Sequence, residues 1–414
     1  MEKRRVGIER ITAYPCTLSL DMVALSEARG ADPGHPIDEL WVDTRSMNPP
    51  YEDTVTMAVN AALQVVRPED KDDIELVIVG TESGVDFGKP ISSYIIRHCG
   101  LGSNVRNFET KHACYGGTSA VMMAAHWVAS GAAPGKKALV VMADQSRTHL
   151  GQPWEYVLGA GATALIISDE PDVVEFELEH NGYWTQEIHD TYRPTSKHEV
   201  GHADTSLFGY LEAAEGSFEH FIQKSGVEDY DAYFKKHIYH VPFGAMTYRA
   251  HRAVMRKLPP AAGKLGNAAM REHFDQKSKP ALKYNRRFGG TYTSATFIAL
   301  MGLLDASDDL SAGDRISMFS YGSGSCAEFY PLKVGERARE VVRAAGLDAG
   351  LDERRALTVP EYEAVEKARQ LFVDNPNFET DLDVVPGHFA SHYEGRGRLV
   401  LEAVRNWERY YRIV

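Results

Sequence analysis

"KHACYGGTSAVMMAAHWVASG", residues 111–131, places a cysteine before a pair of glycines and an apolar run with helical spacing. The spacing predicts a helix over 117–130. Cys114 then lies at the helix N-terminus, where unpaired N–H groups and the helix dipole lower the pKa of a thiol and favour the nucleophilic thiolate. A small buried core cysteine fits the local sequence equally well, so both interpretations stay open.

Short apolar runs alternate with helical patterns on both sides of this stretch. The runs are rich in β-branched residues and end at turn residues, which is typical of buried strands. The predicted strands are 75–80, 137–144, 163–168, 237–242 and 315–322. The predicted helices are 91–98, 117–130, 243–257, 291–305 and 360–373. Strands that alternate with helices predict a layered α/β fold.

Two glycine patterns occur in the same order in both parts of the chain. "CYGGT" (114–118) and "RFGGT" (287–291) each precede a predicted helix, and Gly-x-Gly beside a strand follows at 159–161 and 322–324. The matching order predicts two related halves. The matches are short, so coincidence is the alternative.

Composition and charge exclude several classes of protein. The 414 residues have a net charge of −13, which argues against general nucleic-acid binding. The sequence contains no run of about 18 apolar residues, so we expect no membrane span. The N-terminus lacks the apolar segment of a signal peptide, so we expect none. The four cysteines (Cys16, Cys99, Cys114 and Cys326) are not closely paired, which fits a reducing cytoplasm.

Two further residues have chemical and structural interpretations. Glu82 follows a predicted strand in a glycine-flanked turn, where α/β sheets usually bind ligands, although a solvated loop glutamate is the alternative. His240 lies at a strand end as a candidate general acid or carbonyl-polarising group, or as a structural histidine. His237 and His240 point to opposite faces of a strand, and no His-Glu-x-x-His pattern occurs, so we predict no metal site. A strand follows Gly159-Ala160-Gly161, which excludes the dinucleotide fingerprint.

Six stretches together resemble the 3-hydroxy-3-methylglutaryl-CoA synthase family of the thiolase superfamily, in the family's order and over nearly the whole chain. They are "GTESGVD" (80–86), "HACYGGTSA" (112–120), "YRPTS" (192–196), "HVPFGAM" (240–246), "YNRRFGGTYT" (284–293) and "SYGSGSCAEFY" (320–330). The resemblance implies a five-layered αβαβα fold from two related halves and a homodimer. We place the halves at 1–172, with Glu82 and Cys114, and at 173–414, with His240 and the 320–325 loop.

The resemblance also implies the chemistry of the site. Cys114 matches the nucleophile that takes an acetyl group, Glu82 the general acid/base and His240 the histidine that handles the acceptor carbonyl. The remaining implied substrate-binding residues are Asn285, Ser323, Gly322, Tyr192 and Arg193. The family reaction requires no redox cofactor or metal. We expect a Cys114→Ala variant to lose acetylation, and a Glu82→Gln variant to acetylate but fail to condense.

Departures from the mevalonate-pathway enzymes favour one branch of the family. Those enzymes carry CoA-binding lysines after "HVPF", whereas residues 244–252 here have none. Residues 43–62 and 393–414 resemble the corresponding segments of the polyketide β-branching synthases. The substrates of those enzymes are acyl groups attached to the phosphopantetheine arm of acyl carrier proteins (ACPs). Arg249, Arg252, Arg256 and the adjacent Lys257 form a candidate carrier-docking face on one helix. For the arginines, the alternative is an ordinary solvated helix face. For the function, the alternatives are a primary-metabolism synthase that uses acetyl-CoA and acetoacetyl-CoA, and a non-catalytic carrier-binding scaffold.

Overall fold

A computed structural model describes residues 4–258 and 265–414. Its strands are β1 (Gly7–Tyr14), β2 (Leu18–Asp21), β3 (Thr44–Met47), β4 (Ile74–Gly80), β5 (Arg106–Thr110), β6 (Lys137–Gln145), β7 (Ala160–Ser168), β8 (Val174–Phe176), β9 (Gly182–Thr185), β10 (Thr191–Tyr192), β11 (Val200–Gly201), β12 (Lys236–Tyr239), β13 (Arg315–Gly322), β14 (Cys326–Val334), β15 (Arg355–Leu357), β16 (Asn377–Glu379), β17 (Leu399–Arg405) and β18 (Glu408–Ile413).

The α-helices are α1 (Met22–Ala28), α2 (Thr54–Val65), α3 (Ser92–His98), α4 (Gly116–Ser130), α5 (Ala203–Ser225), α6 (Tyr230–Tyr233), α7 (Gly244–Arg256), α8 (Asn267–Lys277), α9 (Leu282–Phe288), α10 (Ala295–Ala306), α11 (Ala338–Ala344), α12 (Leu347–Asp352), α13 (Val359–Ala368) and α14 (His388–His392). A π-helical turn spans His35–Leu40. Short 3₁₀ turns lie at Pro68–Asp70, Pro153–Tyr156, Lys279–Ala281 and Tyr292–Ser294. Within the described residues, no helix has both the length and the apolar character needed to cross a bilayer.

The main sheet consists of two similar groups of strands that β8 joins. Its order is β12-β13-β14-β8-β1-β7-β6-β4-β5, and β9 pairs with β14. In one group β4 pairs with β6 in parallel and β6 pairs with β7 antiparallel. In the other group β12 and β13 are parallel, and β13 and β14 are antiparallel. The repeated pattern of pairing bears out the prediction of two related halves, while the boundary at residue 172 stays a prediction.

Side chains on opposite faces of each strand pack against different helices. In β4, Val77 and Val79 pack with α2 and α3, whereas Ile78 faces the central helices α4 and α10. In β13, Met318 packs with the central layer and Phe319 packs with α5 and α7. Successive side chains of a strand point to opposite faces, so each group of strands has a helical layer on both sides. If each group of strands is counted as one layer, the order of layers is helix, strands, helix, strands and helix, which confirms the predicted αβαβα fold.

The central layer contains the most apolar of the described helices. Every residue of α10 from Ala295 to Asp305 is buried. A helix that is apolar all round belongs in the interior, where neighbours cover all its faces. Gly117, in the first turn of α4, allows this helix to lie close to the segment that precedes α10. A Cβ added at Gly117 would lie 2.4 Å from the carbonyl oxygen of Thr293. The interior thus places the N-terminus of α4 at the ends of β4 and β6.

The predicted strands and helices occur within a few residues of their expected positions. The clearest differences concern ends: β12 stops at Tyr239, so His240 follows the strand, and α13 stops at Ala368 rather than at residue 373. Residues beyond α13 form turns in which Phe372 and Val373 pack with Leu401 of β17. Their apolar spacing is that of a helix, although the backbone leaves the helix.

Candidate active site

A cavity of about 360 Å³ lies where the ends of β4 and β12, the start of α4 and the helices α5 and α7 meet. Three predicted site residues from distant parts of the chain line it: Glu82, Cys114 and His240. Ser323 and Arg249 line it as well. Much of the remaining wall is apolar or aromatic, and includes Leu158, Leu207, Tyr210, Phe243 and Met246. The cavity therefore combines polar reactive groups with an apolar lining suited to an acyl chain.

The loop before α4 holds Cys114 in place. Ala113 adopts a left-handed conformation with φ of 43°, which is strained for a residue with a Cβ. Gly322 packs directly on this loop, because a Cβ at Gly322 would lie 2.3 Å from the carbonyl oxygen of His112. The backbone at the end of β13 therefore fixes the position of the cysteine.

Cys114 and Glu82 form a hydrogen-bonded pair. The Cys114 thiol donates to Glu82 Oε1 at 3.3 Å. Burial raises the pKa of Cys114 well above its usual value, and the adjacent Glu82 carboxylate raises it further. The prediction that the helix N-terminus favours a thiolate is therefore wrong for the free protein, since α4 begins two residues after Cys114 and burial outweighs its dipole. Burial also raises the pKa of Glu82, which Arg193 opposes.

Arg193 lies behind Glu82 rather than on the cavity wall. Its Nε is 3.9 Å from Glu82 Oε2, and its Nη1 donates to the backbone carbonyl of Glu82 at 3.1 Å. Its Nη2 donates to Glu199 Oε2 at 3.4 Å, and its guanidinium lies over the ring of Tyr292. Arg193 holds the pKa of Glu199 at about 2 despite burial. The structure thus places this predicted substrate-binding residue as a buried cation that holds Glu82 in position.

A buried aspartate holds the backbone of the same residue. Asp144 Oδ1 accepts from the Glu82 backbone N–H at 3.0 Å and from Thr81 Oγ1 at 3.0 Å. Its other oxygen accepts from the backbone N–H of Thr293 at 3.1 Å. Asp144 therefore ties the turn after β4 to the start of the 3₁₀ turn before α10.

His240 is a neutral imidazole at the cavity wall. Its Nδ1 is 3.0 Å from Thr296 Oγ1, and its carbonyl accepts from the Tyr210 hydroxyl at 2.7 Å. Burial lowers the pKa of His240 to about 3. We assign the Thr296 hydroxyl as donor to Nδ1, which leaves the proton on Nε2. His240 then presents a neutral N–H donor, the form that polarises a carbonyl without itself being charged.

The loop after β13 contributes Ser323 to the cavity, and Asp190 braces it. Asp190 accepts from the Tyr321 hydroxyl at 2.6 Å and from the Gly324 N–H at 2.9 Å. The Ser325 N–H donates to the carbonyl of Gln186 at 2.6 Å. Two N–H groups of this loop therefore have protein acceptors, and Ser323 is the member that lines the cavity.

Several predicted site residues lie outside the cavity. Asn285 is buried, and its amide donates to the carbonyl of Ala295 at 2.9 Å, while Tyr192 is partly exposed beside the lining residue Thr191. On α7, Arg249 is exposed at the cavity wall, whereas Arg252 and Arg256 do not line it. Arg252 lies over the ring of Tyr248. Lys257 forms ion pairs with Glu215 and Glu219, so its charge is already partly neutralised.

The sequence interpretation missed four polar residues of the site: Asp144, Glu199, Tyr292 and Asp190. Asp144 ends the apolar run of β6, a strand-end position like that of Glu82, and that signal was available. Tyr292 adopts a left-handed φ of 49°, which nothing in the sequence indicates. Glu199 and Asp190 belong to the irregular segment around β10 and β11, where periodicity carries no information.

Comparison with known proteins agrees with this geometry. Residues 2–172 match the N-terminal part, and residues 262–389 the C-terminal part, of hydroxymethylglutaryl-coenzyme A synthase. The polyketide biosynthesis 3-hydroxy-3-methylglutaryl-ACP synthase PksG of Bacillus subtilis (strain 168) is 36% identical over 98% of both chains. The hydroxymethylglutaryl-CoA synthase of Enterococcus faecalis is 32% identical over 98% of this chain and 99% of that protein.

A solved structure is also similar over the whole chain. The HMG synthase of the curacin biosynthetic pathway, crystallised in complex with acetyl donor-ACP, superposes with a TM-score of 0.93. It is 36% identical, and the match covers 99% of this chain and 100% of that one. The match therefore includes both groups of strands. The chain belongs to the hydroxymethylglutaryl-CoA synthase family of acyl-transferring enzymes that form a carbon–carbon bond.

Proposed function

We propose that this enzyme is a 3-hydroxy-3-methylglutaryl-ACP-type synthase that performs β-branching in polyketide biosynthesis. It condenses an acetyl group, delivered by a donor ACP, with the β-ketone of an ACP-bound polyketide intermediate. The observation that carries the proposal is the cavity in which a hydrogen-bonded Cys114–Glu82 pair faces a neutral His240. A nucleophile, a base and a carbonyl-polarising donor are what this reaction requires.

The first step transfers the acetyl group to Cys114. Glu82 accepts the thiol proton as the sulfur attacks the acetyl thioester, because its Oε1 already accepts the hydrogen bond from Sγ. The tetrahedral intermediate collapses with loss of the carrier thiolate, which takes that proton from Glu82. A thioester on Cys114 and a free carrier thiol result.

The second step forms the carbon–carbon bond. Glu82, again a carboxylate, removes a proton from the methyl group of acetyl-Cys114, and we propose that the Ser323 N–H stabilises the enolate oxygen. The enolate carbon attacks the β-ketone of the acceptor while the Nε2–H of His240 donates a hydrogen bond to the ketone oxygen. The proton held by Glu82 then neutralises the alkoxide, so His240 stays neutral throughout.

Hydrolysis completes the cycle. Water attacks the Cys114 thioester, releases the thiol and leaves a carboxymethyl branch on a tertiary alcohol that remains attached to the acceptor carrier. The sum is acetyl thioester plus β-ketoacyl thioester plus water, giving a β-carboxymethyl-β-hydroxyacyl thioester and a free carrier thiol. The steps are acyl transfer, enolate addition to a ketone and thioester hydrolysis, and none of them needs an oxidant or a reductant, so we propose that no redox cofactor or metal takes part.

Three observations favour ACP over CoA as the carrier. PksG is named as an ACP synthase, and the curacin synthase was crystallised with an acetyl donor-ACP. Helix α7, which begins at the cavity, contains three arginines and no lysine. Carrier proteins are acidic, and Arg249 is exposed at the cavity wall, so the face formed by Arg249, Arg252 and Arg256 supplies positive charge where an anionic partner would dock.

Comparison of carriers tests the function. Intact mass spectrometry monitors acetylation of Cys114 by acetyl-ACP and by acetyl-CoA. Condensation is then measured with acetoacetyl-ACP and with acetoacetyl-CoA as acceptors. We expect kcat/KM to favour the ACP substrates, and Cys114→Ala to form no adduct. Equal use of CoA thioesters would instead support the primary-metabolism enzyme. A mass unchanged by every acetyl thioester would support a non-catalytic scaffold.

Charge reversal tests the docking face. Arg252→Glu and Arg256→Glu should slow acetylation from acetyl-ACP and leave acetylation from acetyl-pantetheine, which has no carrier protein, unchanged. Arg396→Glu changes the charge by the same amount at an exposed residue far along the chain and serves as the control. Equal slowing of both donors, or equal effects of all three variants, would contradict docking on α7.

We also propose that the enzyme is a cytoplasmic homodimer. Strand β5 lies at the end of the main sheet, and an open strand edge favours pairing with another chain. All four cysteines are free thiols, as expected in a reducing compartment. Light scattering after gel filtration should give twice the chain mass of 46.0 kDa. A mass of one chain would contradict the dimer.

A further inference from the structure

A second group of ionisable side chains lies on the face of β12 that α6 and α7 cover. Asp231 on α6, His237 on β12 and His273 on α8 each bring one ligand-type atom within 4.8 Å of the others. His273 Nε2 is 2.9 Å from Asp231 Oδ1. His237 precedes His240 by three residues, a distance of about 10 Å along an extended strand, so the group is separate from the active site.

His237 provides an independent indication of a ligand. It is completely buried, and its Nδ1 lies 2.9 Å from Ser317 Oγ and 3.0 Å from the Tyr230 hydroxyl. Its Nε2 is also buried and has no hydrogen-bond partner among the described residues. Buried polar atoms nearly always have a hydrogen-bond partner. An unsatisfied imidazole nitrogen beside two other ligand-type groups therefore indicates that a ligand binds there.

The outer partners of the two histidines match those of metal-binding imidazoles. His273 Nδ1 is 2.9 Å from His251 Nε2, and His251 Nδ1 is 3.1 Å from the Tyr239 hydroxyl. Each candidate ligand therefore has its second ring nitrogen held by a neighbour, as metal-ligating histidines almost always do.

We propose that Asp231, His237 and His273 bind a zinc ion, with water as the fourth ligand. Two imidazole nitrogens and one carboxylate oxygen are ligands that Zn²⁺ accepts, at about 2.0–2.2 Å in a tetrahedral arrangement. Neighbouring ligands are then about 3.4 Å apart, so atoms up to 4.8 Å apart have to approach by up to about 1.4 Å, and the pair of His273 Nε2 and Asp231 Oδ1 at 2.9 Å has to open by about 0.5 Å. Asp231 is exposed, which supplies an entry path and a position for the water. The ion would tie α6 and α8 to β12.

One contact opposes metal binding and sharpens the test. Lys277 Nζ is 3.3 Å from Asp231 Oδ1, so an ammonium group already lies beside one proposed ligand. Removing it by Lys277→Ala deletes a competing cation and leaves all three ligands in place. A metal site predicts tighter zinc binding in this variant, whereas a purely structural cluster of hydrogen bonds predicts no effect on zinc.

Equilibrium dialysis tests the proposal on the full-length protein, stripped with chelator and then exposed to Zn²⁺, with bound metal measured by mass spectrometry. We expect one saturable equivalent. Loss of an outer partner typically weakens metal binding 10–100-fold, so His273→Ala should weaken it by about 100-fold or more, and Asp231→Asn should also weaken it. Both residues lie at or near the surface, so these variants avoid the fully buried His237.

A matched control is His35→Ala. His35 Nδ1 lies 3.0 Å from Glu39 Oε2 in an exposed histidine–carboxylate pair, and neither residue belongs to the group of Asp231, His237 and His273. This variant should keep the zinc equivalent. Substitution of Co²⁺ should give the intense visible absorption of a tetrahedral site, absent from His273→Ala. No saturable zinc, equal binding by His273→Ala and the wild type, or loss in His35→Ala would each overturn the proposal.

Discussion

Replacing Arg193 by methionine should move the acidic limb of the pH profile for condensation to higher pH. The proposed condensation requires Glu82 as a carboxylate, and Arg193 favours that form because its Nε lies 3.9 Å from Glu82 Oε2. With an effective dielectric constant of about 20, unit charges at this separation attract by about 4 kcal/mol. At about 1.36 kcal/mol per pKa unit, the full loss raises the pKa of Glu82 by about 3 units.

Neighbouring charges reduce this shift. Removing Arg193 also leaves Glu199 without its closest cation, and a buried carboxylate that loses its partner costs about 3–5 kcal/mol of stability. Glu199 can take up a proton instead, which reduces its repulsion of Glu82. We therefore expect a displacement of about 1–3 units, accompanied by a lower melting temperature.

The assay isolates condensation from acetylation. Enzyme already acetylated on Cys114 is mixed with acetoacetyl-ACP, and one turnover is followed by mass spectrometry over the pH range in which each variant stays folded. Arg193→Lys retains the charge and should keep most of the wild-type profile. Arg193→Met with Glu199→Gln removes both charges, so it should recover stability and still show a displaced limb. An unmoved limb in this folded double variant would refute the electrostatic role of Arg193.

Three smaller changes test other parts of the structure. Glu52→Gln should stabilise the protein by about 3 kcal/mol above pH 7 and have little effect below pH 4.5, because burial raises the pKa of Glu52 from 4.5 to about 7 and the folded state resists its ionisation as the pH rises. Chemical denaturation at the two extremes measures this. Gly322→Ala should lower kcat by about 100-fold, since its Cβ would displace the loop that carries Cys114, the proposed nucleophile. Thr296→Val should slow condensation by about tenfold without slowing acetylation, because it removes the hydrogen bond that sets the tautomer of His240.

Each of these three predictions has an outcome that would contradict it or a control variant. A stability gain from Glu52→Gln that is the same at both pH values would mean that ionisation is not its cause. Gly266→Ala is the control for the glycine, since no atom of the described residues lies within 4 Å of the position that a Cβ would take there, and it should keep full activity. Equal slowing of acetylation and condensation by Thr296→Val would place His240 in both steps.

Much of the fold follows from sequence periodicity because each face of a strand packs against a different layer. Apolar residues at successive positions of β4 predict a strand buried on both faces, and the structure places helices against both. The same reasoning fails for β8 and β9, which are short and carry little pattern, although β8 joins the two groups of strands. Periodicity describes the local environment of a segment and does not reveal which segment joins two groups of strands into one sheet.

The site is partly predictable for a different reason. Glu82 and His240 each follow a strand, and Cys114 precedes a helix, so their local positions mark them as candidates. Their convergence on one cavity depends on the pairing of strands far apart in sequence. The position of Arg193 depends on an irregular segment, and so the sequence offered no reason to place it behind Glu82 rather than beside a substrate.

The pKa of Cys114 shows how the tertiary structure reverses a local argument. A helix N-terminus contributes about 0.3–1 kcal/mol to an adjacent negative charge. A carboxylate at the observed 3.3 Å opposes a thiolate by about 5 kcal/mol at an effective dielectric constant of about 20, before burial is considered. The second effect is several times larger, so the thiol keeps its proton in the free protein, and in the proposed mechanism Glu82 removes it.

Because the thiol keeps its proton, Glu82→Gln should slow acetylation as well as condensation. The amide cannot accept the thiol proton, so acetylation should now require loss of that proton to solvent. Acetylation should be slower than in the wild type at neutral pH and should accelerate as the pH rises, while condensation should fall by about 10²–10⁴-fold at every pH. Intact-mass time courses with acetyl-ACP at several pH values separate the two steps. Acetylation at the wild-type rate at neutral pH would show that Cys114 loses its proton without Glu82, and the hydrogen bond between them would then serve only to position the two side chains.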